Sequence, residues 1–440
     1  MKNCDTLINV GWCIPVEPAD AVIKDASVAV LDGKIAAVLP ASEAADQWSA
    51  GATIDRPGHV LIPGLVNTHC HAAMTLFRGF ADDLPLERWL REVIWPAEQR
   101  YADAEFVRDG ARLAAAEMLS AGITCFSDQY FFPEIVAEVA AESHMRAKIA
   151  TPVIDFKTAW AETAEECLAK GSELVHDAYA DHPLVSAAFA PHSVGSVSDE
   201  GFHALRVLAD QLDSQVQIHL HESAQEVEES VAATGKRPIE RLEELGLVNA
   251  SMLAVHAVHL TDAEIDLFAQ SGVSVAHCPN SNLKLADGIA PVAKMLAAGV
   301  KVSLGTDSAA SNNVLDLLGE ARTAALIGKV AADDATAVSA QQVLRMLTID
   351  GARCLGLQDE IGSIEAGKAA DLTCIDLDTL NSQPVFEPVS QIVYTARAGQ
   401  VSDVWVAGKH LVDGGTLTQI DRHEVIQRAN EWRDRMTSKD

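Results

Sequence analysis

The middle of the chain alternates two textures, and that alternation restricts the fold more than any other feature. Short apolar runs recur as HVLIPGLVNTH, ITCFSD, RAKIATPVID, LVSAAFAPH, QVQIHLHE, MLAVHAVHL, VSVAHCP and KVSLGTD. Helical stretches such as EFVRDGARLAAAEMLSAG and TDAEIDLFAQSG separate most of them. Apolar runs that alternate with helices are the pattern of a parallel sheet with helical crossovers. Eight such runs predict an α/β protein built on a (β/α)8, TIM-like barrel, over residues 61–358.

The two ends read differently. SVAVLDGKIAAVLP is a pair of β-runs joined at Asp32-Gly33, a strong hairpin signal. Near the other end, IGSIEAGKAADLTCIDLD and VSDVWVAGKHLVDGG again mix β-branched residues with Gly and Asp turns. This predicts a small β-sandwich domain made by both termini, residues 1–60 and 359–440, with a polar helix in HEVIQRANEWRDRMTSKD. A chain of 440 residues that is 48% apolar has room for a barrel of about 250 residues and a smaller domain.

Charge and cysteine usage narrow the partners. A net charge of −30 repels phosphate backbones and anionic lipid, so neither nucleic acid nor membrane is expected. The first twenty residues carry no apolar signal-peptide core, and no run reaches the roughly 18 apolar residues of a membrane span. Eight scattered cysteines without a CxxC pair suit a reduced, cytoplasmic protein.

The chemistry of such a barrel sits at the carboxyl ends of its strands. Read in order, those ends supply His69 and His71; His192; His219, His221 and Glu222; His256 and His259; His277; and Asp307. Val, Ile and Ala would suit a packed core, because an unpaired buried polar group costs about 2–7 kcal/mol. A bound metal offsets that cost. His69 and His71 stand two apart, so on a strand they share one face and Cys70 turns away. Three imidazoles and one carboxylate suit Zn²⁺ or Fe²⁺ with one position left for water. His69, His71, His219 and Asp307 meet that count, with Glu222 just beyond at the mouth. His221, His259 and His277 are expected to be structural.

PGLVNTHCH, IHLHES, AVHAVHL and LGTDSAASNN, in that order, resemble the amidohydrolase superfamily. Within it, HAAMTLFRGFADDLPLERWL and NSNLKLADGIAPV are similar to the branch of 5′-methylthioadenosine/S-adenosylhomocysteine deaminases, which is related to triazine and ethylammeline hydrolases. The resemblance runs through nearly the whole chain. It implies one divalent ion, zinc or alternatively ferrous iron, on His69, His71, His219 and Asp307. It implies Glu222 as the proton shuttle and His256 beside the attacking water. Glu98 would grip the ribose hydroxyls, His192 would contact the nucleoside, and Trp89 and Ser311 would line the pocket. No lysine ends the third or fourth strand, where two-metal members carry a carboxylated bridge. The expected partners are a small nucleoside and further copies of the chain in a homo-oligomer.

Two departures stand out. Ser308 follows Asp307 where the family often has Gly. Relatives that accept S-adenosylhomocysteine carry Arg near the end of the third strand, whereas Thr151 is assigned to that position here. Lys157 or Lys170 would be the substitutes for that charge. The expected reaction is hydrolytic deamination of an adenine nucleoside, with 5′-methylthioadenosine and adenosine favoured over S-adenosylhomocysteine. The alternative is deamination or dechlorination of a free base or triazine, for which a ribose-binding Glu98 would serve no purpose. A catalytically inert scaffold is disfavoured, because the metal-ligand and acid–base sets are complete.

Overall fold

A computed structural model describes residues 1–438. Strands β1 (Lys2–Cys13), β2 (Ile23–Leu31), β3 (Lys34–Pro40) and β4 (Trp48–Pro63) come from the amino-terminal end. The central strands are β5 (Leu65–Cys70), β6 (Ile123–Asp128), β7 (Arg146–Val153), β8 (Val185–Pro191), β9 (Val216–Leu220), β10 (Met252–His256), β11 (Ser274–His277) and β12 (Lys301–Leu304). Strands β13 (Leu372–Asp376), β14 (Val401–Val406), β15 (Lys409–Asp413) and β16 (Thr416–Leu417) follow.

The central eight form one sheet in sequence order, β5 through β12, parallel throughout. It is a nearly closed barrel. Between β12 and β5 there is no ladder; Thr68 Oγ1 bonds Ser303 Oγ and the Leu304 carbonyl, each at 2.9 Å. Val66, Cys125, Leu253, Val255 and Ala276 pack with Ala352, Cys354, Leu355 and Ile361. Gln215, just before β9, donates to the Cys354 carbonyl, so this later segment closes the amino-terminal end of the barrel.

The terminal strands form a single mixed sheet, ordered β16-β15-β14-β13-β4-β1-β2-β3. The expected sandwich is thus one hydrogen-bonded sheet that curls on itself. The Asp32-Gly33 turn joins β2 to β3 as its sequence indicated, and it reaches across to Ala370 and Ala407. Ile8, Val28, Ile35, Leu372 and Trp405 fill the fold of the curl.

One apolar run divides where the sequence suggested continuity. HVLIP finishes β4 in the terminal sheet, and LVNTHC is the first barrel strand. Gly64 makes the change of sheet, since a Cβ there would lie 2.1 Å from Thr124 Oγ1. The carboxyl-terminal helix, Arg422–Thr437, lies on the helix Ala104–Ser120. Arg428 and the Trp432 indole both donate to the buried Asp109 carboxylate. All eight cysteines are free and buried. No helix among the described residues is long and apolar enough to cross a membrane.

Barrel and sheet are joined by a buried ion pair. Arg146, at the start of β7, bonds Asp371 at 2.9 Å; side-chain exposures are 5% and 1%. Asp371 also accepts from the Ala407 N–H at 2.7 Å. Removing Asp371 leaves the buried Arg146 with only the exposed Glu360, at 3.0 Å, as an ionic partner. Asp371→Asn is therefore expected to destabilise the fold by about 3–5 kcal/mol, read as a lowered unfolding midpoint, whereas exposed Lys157→Ala leaves the midpoint unchanged.

Candidate active site and metal centre

Closure of the barrel brings four ligand candidates together. His69 Nε2 and His71 Nε2 lie 3.5 and 3.3 Å from Asp307 Oδ1. His219 Nε2 lies 3.2 Å from His69 Nε2. Each imidazole has its other nitrogen engaged: His69 Nδ1 with the Gln217 amide at 2.9 Å, His71 Nδ1 with the Gln129 carbonyl at 2.5 Å, and His219 Nδ1 with the His192 carbonyl at 2.7 Å. The carbonyl partners of His71 and His219 make Nδ1 the donor and leave Nε2 free for a metal, whereas His69 Nδ1 meets the nitrogen of the Gln217 amide. Burial pushes His69 down to about 3 and His219 well below its ordinary value, which leaves both neutral as ligation requires. For His71 burial acts in the same direction, but the adjacent Asp307 carboxylate raises it overall.

Asp307 is held from the opposite side. Ser281 Oγ and Ser311 Oγ donate to Oδ2 at 2.5 and 2.8 Å, and Ser308 Oγ donates to Ser311 Oγ at 3.0 Å. Oδ1 is then the oxygen presented to the histidines. Three imidazoles and one carboxylate, all buried or nearly so, fit a single divalent ion. Ser308 does not disturb this loop; its hydroxyl also accepts the Ser311 N–H.

The acid–base candidates border the cluster. His256 Nε2 lies 3.5 Å from Glu222 Oε1. One ligand-type atom from each of Glu222, His256 and Asp307 falls within 4.8 Å of the others. Burial raises the Glu222 carboxyl well above its ordinary value, and Asp287 and Asp307 add to the shift. The shift favours the protonated carboxyl. Backbone strain marks the same place: His221, His256, Ala257 and Asp307 all have positive φ, between 52° and 73°. Left-handed backbone at non-glycine residues costs about 1–3 kcal/mol each and concentrates at functional sites.

The remaining candidates are distributed as follows. Tyr130 Oη donates to Glu98 Oε1 at 2.8 Å, and the Tyr130 ring stands edge-on to His71. His192 has its ring 4.9 Å from that of His219. Trp89 is buried, and its indole N–H is taken by the Ala81 carbonyl. Ser311 Oγ donates to Asp307 Oδ2 at 2.8 Å. His221 turns away from the ligands: it accepts the Ile239 N–H and lies beside Arg237. His259 bonds the Asp287 carbonyl, and His277 is fully enclosed. Thr151 corrects the sequence argument. A Cβ on Gly171 would lie 2.4 Å from Thr151 Cγ2, so Thr151 faces the outer helix Ala164–Gly171, not the pocket. Lys157 pairs with Glu162, and Lys170 with Glu166. Sequence reasoning missed Gln217, Ser281, Asn282 and Tyr130. Gln217 stands two before His219 on one strand face, a periodicity that could have found it.

The amidohydrolase family model matches residues 60–411. The 5-methylthioadenosine/S-adenosylhomocysteine deaminase of Teredinibacter turnerae is 46% identical over all of both chains. Among solved structures, an adenosine deaminase from Xanthomonas campestris with bound zinc superposes at TM-score 0.98 with 49% identity, covering 99% of each chain. The atrazine chlorohydrolase of Arthrobacter aurescens, complexed with zinc, reaches 0.89 at 28% identity, covering 97% of this chain and 99% of its own. The chain belongs to the amidohydrolase family. It is a hydrolase of the deaminating branch, acting on carbon–nitrogen bonds.

His69 is shared by two groups of candidate ligands, His69, His71 and Asp307 and His69, His219 and His256, and one divalent ion per chain is the expected stoichiometry. Elemental analysis of fully active protein checks this; two ions per chain would contradict it. His219→Ala is expected to lose the ion and the activity together.

Proposed function

We propose that the chain is a metal-dependent aminohydrolase of adenine nucleosides, with 5′-methylthioadenosine the preferred substrate and adenosine and S-adenosylhomocysteine as others. The convergence of Glu222, His256 and Asp307 on the edge of the ligand cluster carries this reading. The names of the similar deaminases support the substrate class. His69, His71, His219 and Asp307 would hold the ion, with zinc the best match to the donor set. A divalent ion there would lower the pKa of a water to near neutrality and make hydroxide available.

The chain's own groups do the rest. Asp307 accepts the proton of the attacking water. His256 hydrogen-bonds the attacking oxygen as it adds to C6 of the purine. Glu222, kept as an acid by burial and by neighbouring carboxylates, protonates the ring nitrogen next to C6, so negative charge does not build up there. The tetrahedral intermediate then collapses: C6–N6 breaks, ammonia leaves with the proton held by Asp307, and the added hydroxyl gives its proton back to Glu222 as the C6 carbonyl forms. Glu98, with one oxygen occupied by Tyr130, keeps the other for the ribose hydroxyls. His192 contacts the nucleoside, and Trp89 and Ser311 line the pocket. The barrel that begins at Leu65 holds this chemistry, and the terminal sheet supports it. A homo-oligomer in the cytoplasm is the expected setting. The competing reading, a free base or triazine substrate, draws on the likeness to the atrazine enzyme.

Glu222→Gln is expected to keep its ion while kcat falls about 10²–10⁴-fold; loss of metal along with activity would make Glu222 a ligand. A panel of compounds assayed for ammonia release separates the substrates. 5′-Methylthioadenosine and adenosine are expected to exceed S-adenosylhomocysteine, and free adenine to be poor. A free base or triazine as the best substrate would overturn the ribose role of Glu98. The Glu98 carboxyl is pushed up to about 7 by burial, partly offset by the Tyr130 hydroxyl. Its ionised form accepts the ribose hydroxyls, and that form is lost as pH falls through this value. The nucleoside KM should therefore rise about tenfold from about pH 8 to about pH 6, while the KM of a free base stays flat.

A further inference from the structure

Asp307 is aimed by two serines that come from different segments. Ser281 lies in the short helix Pro279–Lys284, and Ser311 in the loop after β12. Both hydroxyls donate to Asp307 Oδ2, and they stand 3.0 Å from each other. The residues next to these serines share one further partner. Glu320, fully buried in the first turn of the helix Leu317–Ala332, accepts the Asn280 N–H on Oε2 at 3.1 Å and the Asn312 amide on Oε1 at 2.6 Å. Asn312 Nδ2 also donates to the Thr306 carbonyl at 2.8 Å, one residue before Asp307. The deamination steps make no use of Glu320.

We infer that Glu320 is a positioning residue for the metal centre: its one carboxyl group clamps the two serine-bearing segments and so decides which Asp307 oxygen faces the ion. Asp307 Oδ2 is held only while Ser281 and Ser311, 30 residues apart in sequence, keep one spacing. Their direct contact is a hydrogen bond between hydroxyls that can rotate. Glu320 acts on firmer points, the main chain beside Ser281 and the amide beside Ser311, from a helix of 16 residues. With Oδ2 fixed, Oδ1 is the oxygen left to His69 and His71, at 3.5 and 3.3 Å. The residue type follows from the geometry. An ionised carboxylate is acceptor-only, so it can meet N–H donors on both sides. A carboxamide would turn its NH₂ against one of them, and an apolar side chain would leave both donors unpaired in a buried place, at a cost in stability. The inference rests on Asp307 as a metal ligand, the reading given above.

The test measures zinc affinity by chelator competition, together with the visible spectrum of the cobalt-substituted enzyme, which responds to the ligands of the ion. Measurements at about pH 9 keep Glu320 largely ionised, above the value of about 8 to which burial raises its carboxyl. Glu320→Gln is expected to bind zinc about 10–100-fold more weakly, with an altered cobalt spectrum. At saturating zinc its kcat falls while KM is kept. Asn312→Ala, which frees one oxygen of the clamp, is expected to show the same changes at smaller size, and it carries the test if Glu320→Gln does not fold. A residue that merely capped the helix Pro279–Lys284 would lower the unfolding midpoint of the metal-free protein and leave affinity and spectrum as they were. That result in soluble Glu320→Gln, or in Asn312→Ala where the first does not fold, overturns the inference. Asp307→Ala is the control. If it loses zinc while the clamp variant holds it at full affinity, the inference alone fails. If it too binds zinc at full affinity, the ligand reading fails and takes the inference with it.

Discussion

The Asp307 N–H donates to the His69 carbonyl at 3.1 Å, and a Cβ on Gly305 would meet His69 atoms at 3.0 Å. This is the contact on which the site is built. The first and eighth barrel strands are the most distant of the eight in sequence, and they share no regular ladder. What joins them is a hydroxyl bridge at Thr68 and this close backbone approach at the rim. The absence of a side chain at Gly305 lets the end of β12 run against His69, and the chain then turns left-handed at Asp307 to aim its carboxylate at His69 and His71. A larger residue at 305 would hold the seam open and move the one anionic ligand away from its neutral partners.

Strain and polarity at the rim are offset by bonds that the site makes within itself. Left-handed backbone at His221, His256, Ala257 and Asp307 would each favour an ordinary strand end if nothing held them. Ser281, Ser308 and Ser311 hold Asp307 through a chain of hydroxyls. His221 takes the Ile239 N–H and the company of Arg237, and its carbonyl accepts the N–H groups of Val258 and His259. The bend at His221 and the bend at Ala257 are thus tied to one another. Two strand ends, β9 and β10, are fixed as a unit, and Glu222 and His256 sit on that unit.

The barrel was legible because its signal is repeated eight times, and because period and strand-end polarity agree. His69, His71, His219 and Asp307 could be selected by counting donors at those ends. Two kinds of information were hidden. A change of sheet leaves no mark in hydropathy, so the division of HVLIPGLVNTH at Gly64 is visible only through the overlap with Thr124. Side-chain direction beyond a strand end also fails to follow parity. His221 stands two after His219, yet the strand ends at Leu220 and the left-handed turn sends His221 to the helix Pro238–Glu244. Thr151 shows the same weakness in reverse: its place near the third strand's end was read correctly, its face was not. Ser281 and Asn282 lie in a helix of six residues, Pro279–Lys284, whose approach to Asp307 and His256 depends on tertiary packing alone.

The elements that supply the chemistry differ from those proposed to meet the sugar. Ligands and acid–base groups stand on β5, β9, β10 and β12 or at their rims, and are fixed by the closure of the barrel. Glu98 comes from the helix Trp95–Tyr101, far along the excursion after β5, and is tied to the barrel by the Tyr130 hydroxyl. Tyr130 follows Gln129, whose carbonyl accepts from His71. A single short segment after β6 therefore registers the proposed sugar contact against a metal-ligand candidate. Chains that share the rigid rim can diverge in this excursion without disturbing the ligands. That gives a physical reason why a triazine enzyme at 28% identity superposes at 0.89 while its substrate carries no ribose. Selectivity on such a rim then depends on how loops are pinned to it, and Tyr130 is the pin for the loop that carries Glu98.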